Sequence, residues 1–76
     1  MSRTFDLQTN PRNATSSLFI TNDAGSTRQV RATNLEHLRG IEALDEQPGD
    51  LFILNGFAGV EKADLIAELT SLTARA

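Results

Sequence analysis

The stretch Gly49-Asp50-Leu51-Phe52-Ile53-Leu54-Asn55-Gly56-Phe57 decides how this chain is read, because it holds the one run of four large apolar residues in the sequence. Pro48-Gly49 stands before the run and Asn55-Gly56 after it, and both pairs favour turns. A fenced run of four suits a strand. Its lack of polar alternation predicts a strand with both faces away from water, so other elements are expected to cover or flank it on each side.

Outward from that run, the flanking segments read as helices. On the C-terminal side, Asn55-Gly56 is a two-residue hairpin signal. Phe57 to Val60 is therefore a possible brief return strand, although Gly59 weakens that reading and the strand is left out of the expected order. A helix from Val60 or Glu61 onward places Leu65, Ile66, Leu69 and Leu72 on one arc, with Ala63 and Ala67 beside it. On the N-terminal side, Thr33-Asn34-Leu35-Glu36 fits a capping box, and Leu35, Leu38, Ile41 and Leu44 form the apolar stripe of the helix it starts. That helix is expected to run to the Gln47-Pro48-Gly49-Asp50 turn. Gly40 in its middle costs about 0.5–1 kcal/mol relative to Ala, unless the missing side chain permits a close approach.

Further out, residues 4–8 alternate with Phe5 and Leu7 inward, and Asn10-Pro11-Arg12-Asn13 breaks the strand. Ser17 to Asn22 places Leu18 and Ile20 on one face and Phe19 on the other. Asp23-Ala24-Gly25-Ser26 turns the chain, and Thr27 to Ala32 returns with Val30 and Ala32 inward. The expected fold is a single α+β domain over residues 1–76 in the order β-β-β-α-β-α. It has a mostly antiparallel sheet with two helices packed on it, and residues 1–3 and 74–76 frayed.

Composition narrows the function classes. Seventy-six residues make one core, and the twenty large apolar residues are Leu, Ile, Val and Phe, with no Trp or Tyr. Without cysteine there are no disulfides, thiol chemistry or zinc-thiolate sites. No signal-peptide pattern or membrane-length apolar run is present, so the expectation is a cytoplasmic protein without membrane contact. The net charge of −3 is lopsided: residues 1–39 carry +2 and residues 40–76 carry −5.

The inventory for catalysis is thin. His37 is the only histidine, no serine or cysteine elbow accompanies it, and a core this small offers little cleft around paired carboxylates; the chain is read as not an enzyme. One histidine with scattered acids does not make ligand spacing for a metal, and Gly56-Phe57-Ala58-Gly59 lacks the lysine of a phosphate loop; no cofactor or metal is expected. Arg12, Arg28 and Arg31 near Phe19 would suit a single-strand nucleic-acid platform, but the acidic balance, with a pI of about 4.9, opposes it. The acidic surface is more suggestive. Glu61, Asp64 and Glu68 form a stripe on the second helix, and Glu42, Asp45, Glu46 and Asp50 form a patch around the Pro-Gly turn.

The run of hairpin, capped helix and strand ending Asn55-Gly56 resembles the layout of β-grasp proteins such as ubiquitin-like sulfur carriers over residues 18–57. Those carriers act through a C-terminal Gly-Gly, whereas this sequence ends Ala74-Arg75-Ala76, so the resemblance implies no carrier activity. In being short, acidic and without catalytic residues, the chain is also similar in type to phage-encoded inhibitors, including anti-CRISPR proteins. The expected function is a non-enzymatic protein-binding module, an inhibitor or accessory subunit that docks on a larger protein, for example over a basic nucleic-acid groove. Binding would use Glu61, Asp64, Glu68, Asp45, Glu46 and Asp50 with Phe57 or Phe19 as apolar anchor. The alternative is a nucleic-acid-binding module built on Arg12, Arg28 and Arg31.

Overall fold

The structure is a computed structural model that describes residues 2–74. The elements follow in the order β1 (Thr4–Asn10), β2 (Thr15–Thr21), β3 (Thr27–Val30), α1 (Asn34–Glu42), β4 (Leu51–Leu54), β5 (Phe57–Val60) and α2 (Lys62–Ala74). The chain is thus an α+β domain, as expected, with one strand more than the expected order contains. The strands form one sheet in the order β3-β2-β1-β4-β5. Three neighbouring pairs are antiparallel, and β1 with β4, at the centre, is parallel.

Gly59 was the reason for omitting a fifth strand, yet it is what makes that strand possible. Phe52 pairs with Val60 and Ile53 with Ala58, which leaves Gly59 as the extra residue of a bulge, at φ +83°. Glycine reaches that conformation without strain, and the bulge lets β5 pair to its end. The hairpin itself turns at Asn55 (φ +49°) and Gly56 (φ +87°), the left-handed pair that a two-residue connection requires.

The alternation of β1 and β2 sets the two sides of the sheet. Phe5, Leu7, Leu18 and Phe52 point to one side, where they meet Leu38 and Ile41 of α1 and Leu65, Leu69 and Leu72 of α2. The rings of Phe5 and Phe52, registered across the parallel pair, stack with centroids 5.3 Å apart. Both helices cover this one side. The expectation that β4 is sandwiched between covers therefore fails: Phe52 is buried, but Leu51 is 38% exposed and Ile53 only half-buried. The hairpin–helix–strand run that resembles a β-grasp layout is present in chain order, with β1 inserted between β2 and β4 in the sheet.

Helix α1 opens with the expected capping box. The Glu36 amide donates to Thr33 Oγ1 (3.2 Å) and the Thr33 amide donates to Glu36 Oε1 (3.4 Å). It ends at Glu42, short of the Gln47-Pro48 turn to which it is expected to run, with Ala43 as C-cap. Lys62 Nζ, at the start of α2, donates to the carbonyls of Leu44 (2.9 Å) and Glu42 (3.3 Å), so a cation from the second helix satisfies the end of the first. Leu35, expected in the stripe, is exposed, because the short helix turns only its Leu38 and Ile41 side fully into the core. Ala63 and Ala67 are likewise exposed on α2.

The fraying expected of residues 1–3 and 74–76 falls in part on Met1, Arg75 and Ala76, which lie outside the described residues. Arg3 is firmly held. Its Nε donates to Asp50 Oδ1 (3.0 Å), and its Nη2 donates to Asp50 Oδ2 (2.7 Å) and to the Asp45 carbonyl (2.9 Å). Its guanidinium also lies over the Phe5 ring, 5.2 Å from the centroid.

Gly40 has no such support for its place in α1: a Cβ there would meet nothing within 4 Å. Gly40→Ala is therefore expected to raise unfolding stability by about 0.5–1 kcal/mol, read as a higher urea midpoint at unchanged slope.

Candidate functional site

The acids singled out from the sequence divide into structural and free groups. Asp50 is structural. Its side chain is 2% exposed, it takes the bidentate bond from Arg3, and its Oδ2 accepts from the Gln47 amide (2.9 Å), which braces the Pro48-Gly49 turn. Asp64 is also engaged, since its Oδ2 accepts the Glu61 amide at the start of α2 (2.9 Å), the favourable place for an acid on the helix dipole. Glu68 is half-buried and receives a long bond from Thr9 Oγ1 (3.4 Å). Asp45, Glu46 and Glu61 are exposed, and Glu46 and Glu61 face one shallow groove with Lys62, Ala63 and Ile66. The structure thus brings Glu46 and Glu61 together, and employs Asp50 and Asp64 in holding a turn and a helix start.

The two aromatic candidates do not share a face. Phe57 is 74% exposed on β5 and pairs with Leu54, a residue of the helix-covered side. Phe19 lies on the opposite, uncovered side, half-buried. The arginines are divided too. Arg28 registers with Ile20 on the helix side, where it flanks an apolar cleft of about 200 Å³ between α1 and the β2–β3 hairpin, while Arg12 and Arg31 are exposed in or beside loops. Arg28 and Phe19 therefore do not form one platform.

His37 is buried, at 2% exposure. Its Nε2 lies 3.1 Å from the Val30 carbonyl, which can only accept, so that nitrogen carries the proton. Its Nδ1 lies 2.7 Å from Ser16 Oγ, which is also 2.6 Å from Asn34 Oδ1, so the single hydroxyl proton serves one of the two acceptors at a time, while Asn34 Nδ2 donates to the Ala14 carbonyl. Ser16 beside a histidine looks like a nucleophile and its base, but the ring has no carboxylate on its far nitrogen, which is tied to the Val30 carbonyl of β3. The arrangement staples the start of α1 to β2 and β3. Sequence reading missed Ser16 and Asn34 because the three polar residues converge only in the fold.

The uncovered side of the sheet has an unusual composition. Thr4, Asp6, Gln8, Ser17, Phe19, Thr21, Thr27, Gln29, Leu51, Ile53 and Ala58 alternate with the core-facing residues, and Asp6 is the single charge among them. One cross-strand row reads Gln29, Phe19, Asp6, Ile53, Ala58 from edge to edge. In its middle, Asp6 Oδ1 is buried and has no hydrogen-bond partner among the described residues. A buried carboxylate oxygen left unpaired costs about 1–3 kcal/mol or more. No helix of the described residues is long and apolar enough to cross a membrane, and they contain no group of three or more His, Asp or Glu placed to hold a metal ion.

Comparison with protein-family models, with curated proteins and with solved structures found no match to this chain.

Two measurements follow. The Arg3 guanidinium, foremost by hydrogen bonding, holds the Asp50 carboxyl below its ordinary value. A depressed native value means that the unfolded chain binds the proton more readily, so the pair's stabilisation is full above the ordinary aspartate range near about 4 and is lost as pH falls through the native value. Asp50→Asn should flatten this acid limb of a stability-against-pH curve measured by urea unfolding. Ser16→Ala, which strips His37 Nδ1 and Asn34 Oδ1 of their common partner, should cost about 1–3 kcal/mol in the same assay.

Proposed function

We propose that this chain is a non-catalytic protein-binding module, an inhibitor or accessory subunit, that docks on a larger protein through the uncovered side of its sheet. The observation that carries the reading is the near absence of charge there. Asp6 alone is charged, while Phe19, Leu51 and Ile53 supply apolar surface among Thr, Ser and Gln. The centres of protein interfaces are depleted in charge and enriched in aromatic and apolar anchors. A sheet side that only faces water has no need of that composition, and the chain places its charge elsewhere.

The free acids Asp45, Glu46 and Glu61 then act from a distance. Glu46 and Glu61 lie by the start of α2 and Asp45 in the loop after α1, off the paired strand residues of the docking side, and they orient the domain toward a basic partner during approach rather than forming the contact. This reading retains Phe19 from the sequence candidates and gives the remaining free acids a kinetic role.

Affinity capture from the native cells tests the assignment. A partner retained by the wild-type domain should be lost with the double variant Phe19→Gln, Ile53→Gln, and retained with Glu46→Lys, Glu61→Lys at physiological salt. Circular dichroism and thermal melts would confirm that both variants fold. Loss with the charge-reversed variant and retention with the sheet variant would move the interface to the helix side.

A further inference from the structure

We infer that the uncovered sheet side is built to receive an arginine side chain of the partner, seated on Asp6 between Phe19 and Ile53; this rests on the docking reading above. A carboxylate oxygen can only accept, so what Asp6 Oδ1 lacks is a donor. None of the described residues donates to it, although Thr4, Gln8, Ser17 and Thr21 carry polar groups on the same side. The residues registered on either side are Phe19 and Ile53, whose side chains carry no polar atom, and the backbone amides of the three central strands serve the sheet ladders. Of the cations among the described residues, Arg3 is bound to Asp50, Lys62 caps α1, Arg28 is on the helix side, Arg39 is on α1, and Arg12 and Arg31 lie in or beside loops. Asp6 as a residue is only half-buried, so a donor to its carboxylate can reach it from above the sheet, from another molecule.

The surroundings select its chemistry. A lone carboxylate flanked by an aromatic ring and a branched aliphatic chain favours a cation that is weakly hydrated, planar and able to stack while donating in its plane. Guanidinium meets those conditions, and the compact, strongly hydrated ammonium of lysine does not. The three-carbon stem of an arginine would lie along Ile53 and Leu51, the latter 38% exposed. The acidic balance of the chain attracts such a partner before contact is made.

The probe is N-acetyl-arginine methylamide titrated into the ¹⁵N-labelled domain, with N-acetyl-lysine methylamide as comparison. The arginine compound should give saturable shift changes centred on the amides of Asp6, Phe19 and Ile53, with the lysine compound at least about threefold weaker. Asp6→Asn should abolish the response while leaving the thermal midpoint unchanged or higher, since it removes an unpaired carboxylate rather than a bond. Equal response to both compounds, a response centred on Glu46 and Glu61, persistence in Asp6→Asn, or a large drop in its midpoint would each overturn the inference. The two readings fail separately. If capture depends on Phe19 and Ile53 but is undiminished in Asp6→Asn, docking stands and the arginine seat falls; a specific arginine response without sheet-dependent capture retains the seat and removes the docking assignment.

Discussion

The parallel pairing of β1 with β4 is the constraint on which the rest of the molecule depends. Parallel neighbours cannot be joined by a tight turn, so everything between them must travel out and back. The ladder runs from Thr4 beside Leu51 to Leu7 beside Leu54, and side chains clamp both of its ends. At one end Arg3 grips Asp50, and the Leu51 amide donates to the Arg3 carbonyl (2.8 Å). At the other, Thr9 and Asn55 exchange bonds: the Thr9 amide donates to Asn55 Oδ1 (2.8 Å) and Asn55 Nδ2 donates to Thr9 Oγ1 (2.9 Å). Register slip would break both clamps together and turn Phe5 or Phe52 away from the core.

Local signals in the sequence were read well because each involves residues a few positions apart. The Thr33–Glu36 box, the Asn55-Gly56 turn, the alternation of β1 and β2 and the buried arc of Leu65, Leu69 and Leu72 all appear where expected. What the sequence concealed is non-local. Arg3 and Asp50 are 47 positions apart, and Ser16 and His37 are 21 apart, so neither partnership has a spacing to detect. The early end of α1 belongs to the same class, because the lysine that caps it sits on another helix.

The misreading of residues 51–54 is the most instructive. An unbroken apolar run states only that neither side of the strand is polar, and the ordinary explanation is a cover on both sides. Here the second side has none, so Leu51 and Ile53 are apolar without being in the core. The absent alternation in β4 therefore marks the side proposed for docking, on an interior strand of the sheet. Local rules tend to fail where function requires them to. The same logic applies to Asp6, an acid at the centre of a sheet whose neighbours give it nothing to bond.

The chain order has a consequence during synthesis. β1, β2 and β3 form by nearby contacts and emerge first, yet the apolar side they create, with Phe5, Leu7, Leu18, Ile20 and Val30, is roofed by Leu65, Leu69 and Leu72 near the far end of the polypeptide. A nascent chain on the ribosome therefore presents that apolar side bare until α2 has cleared the exit tunnel. In that interval both sides of the young sheet are open to water.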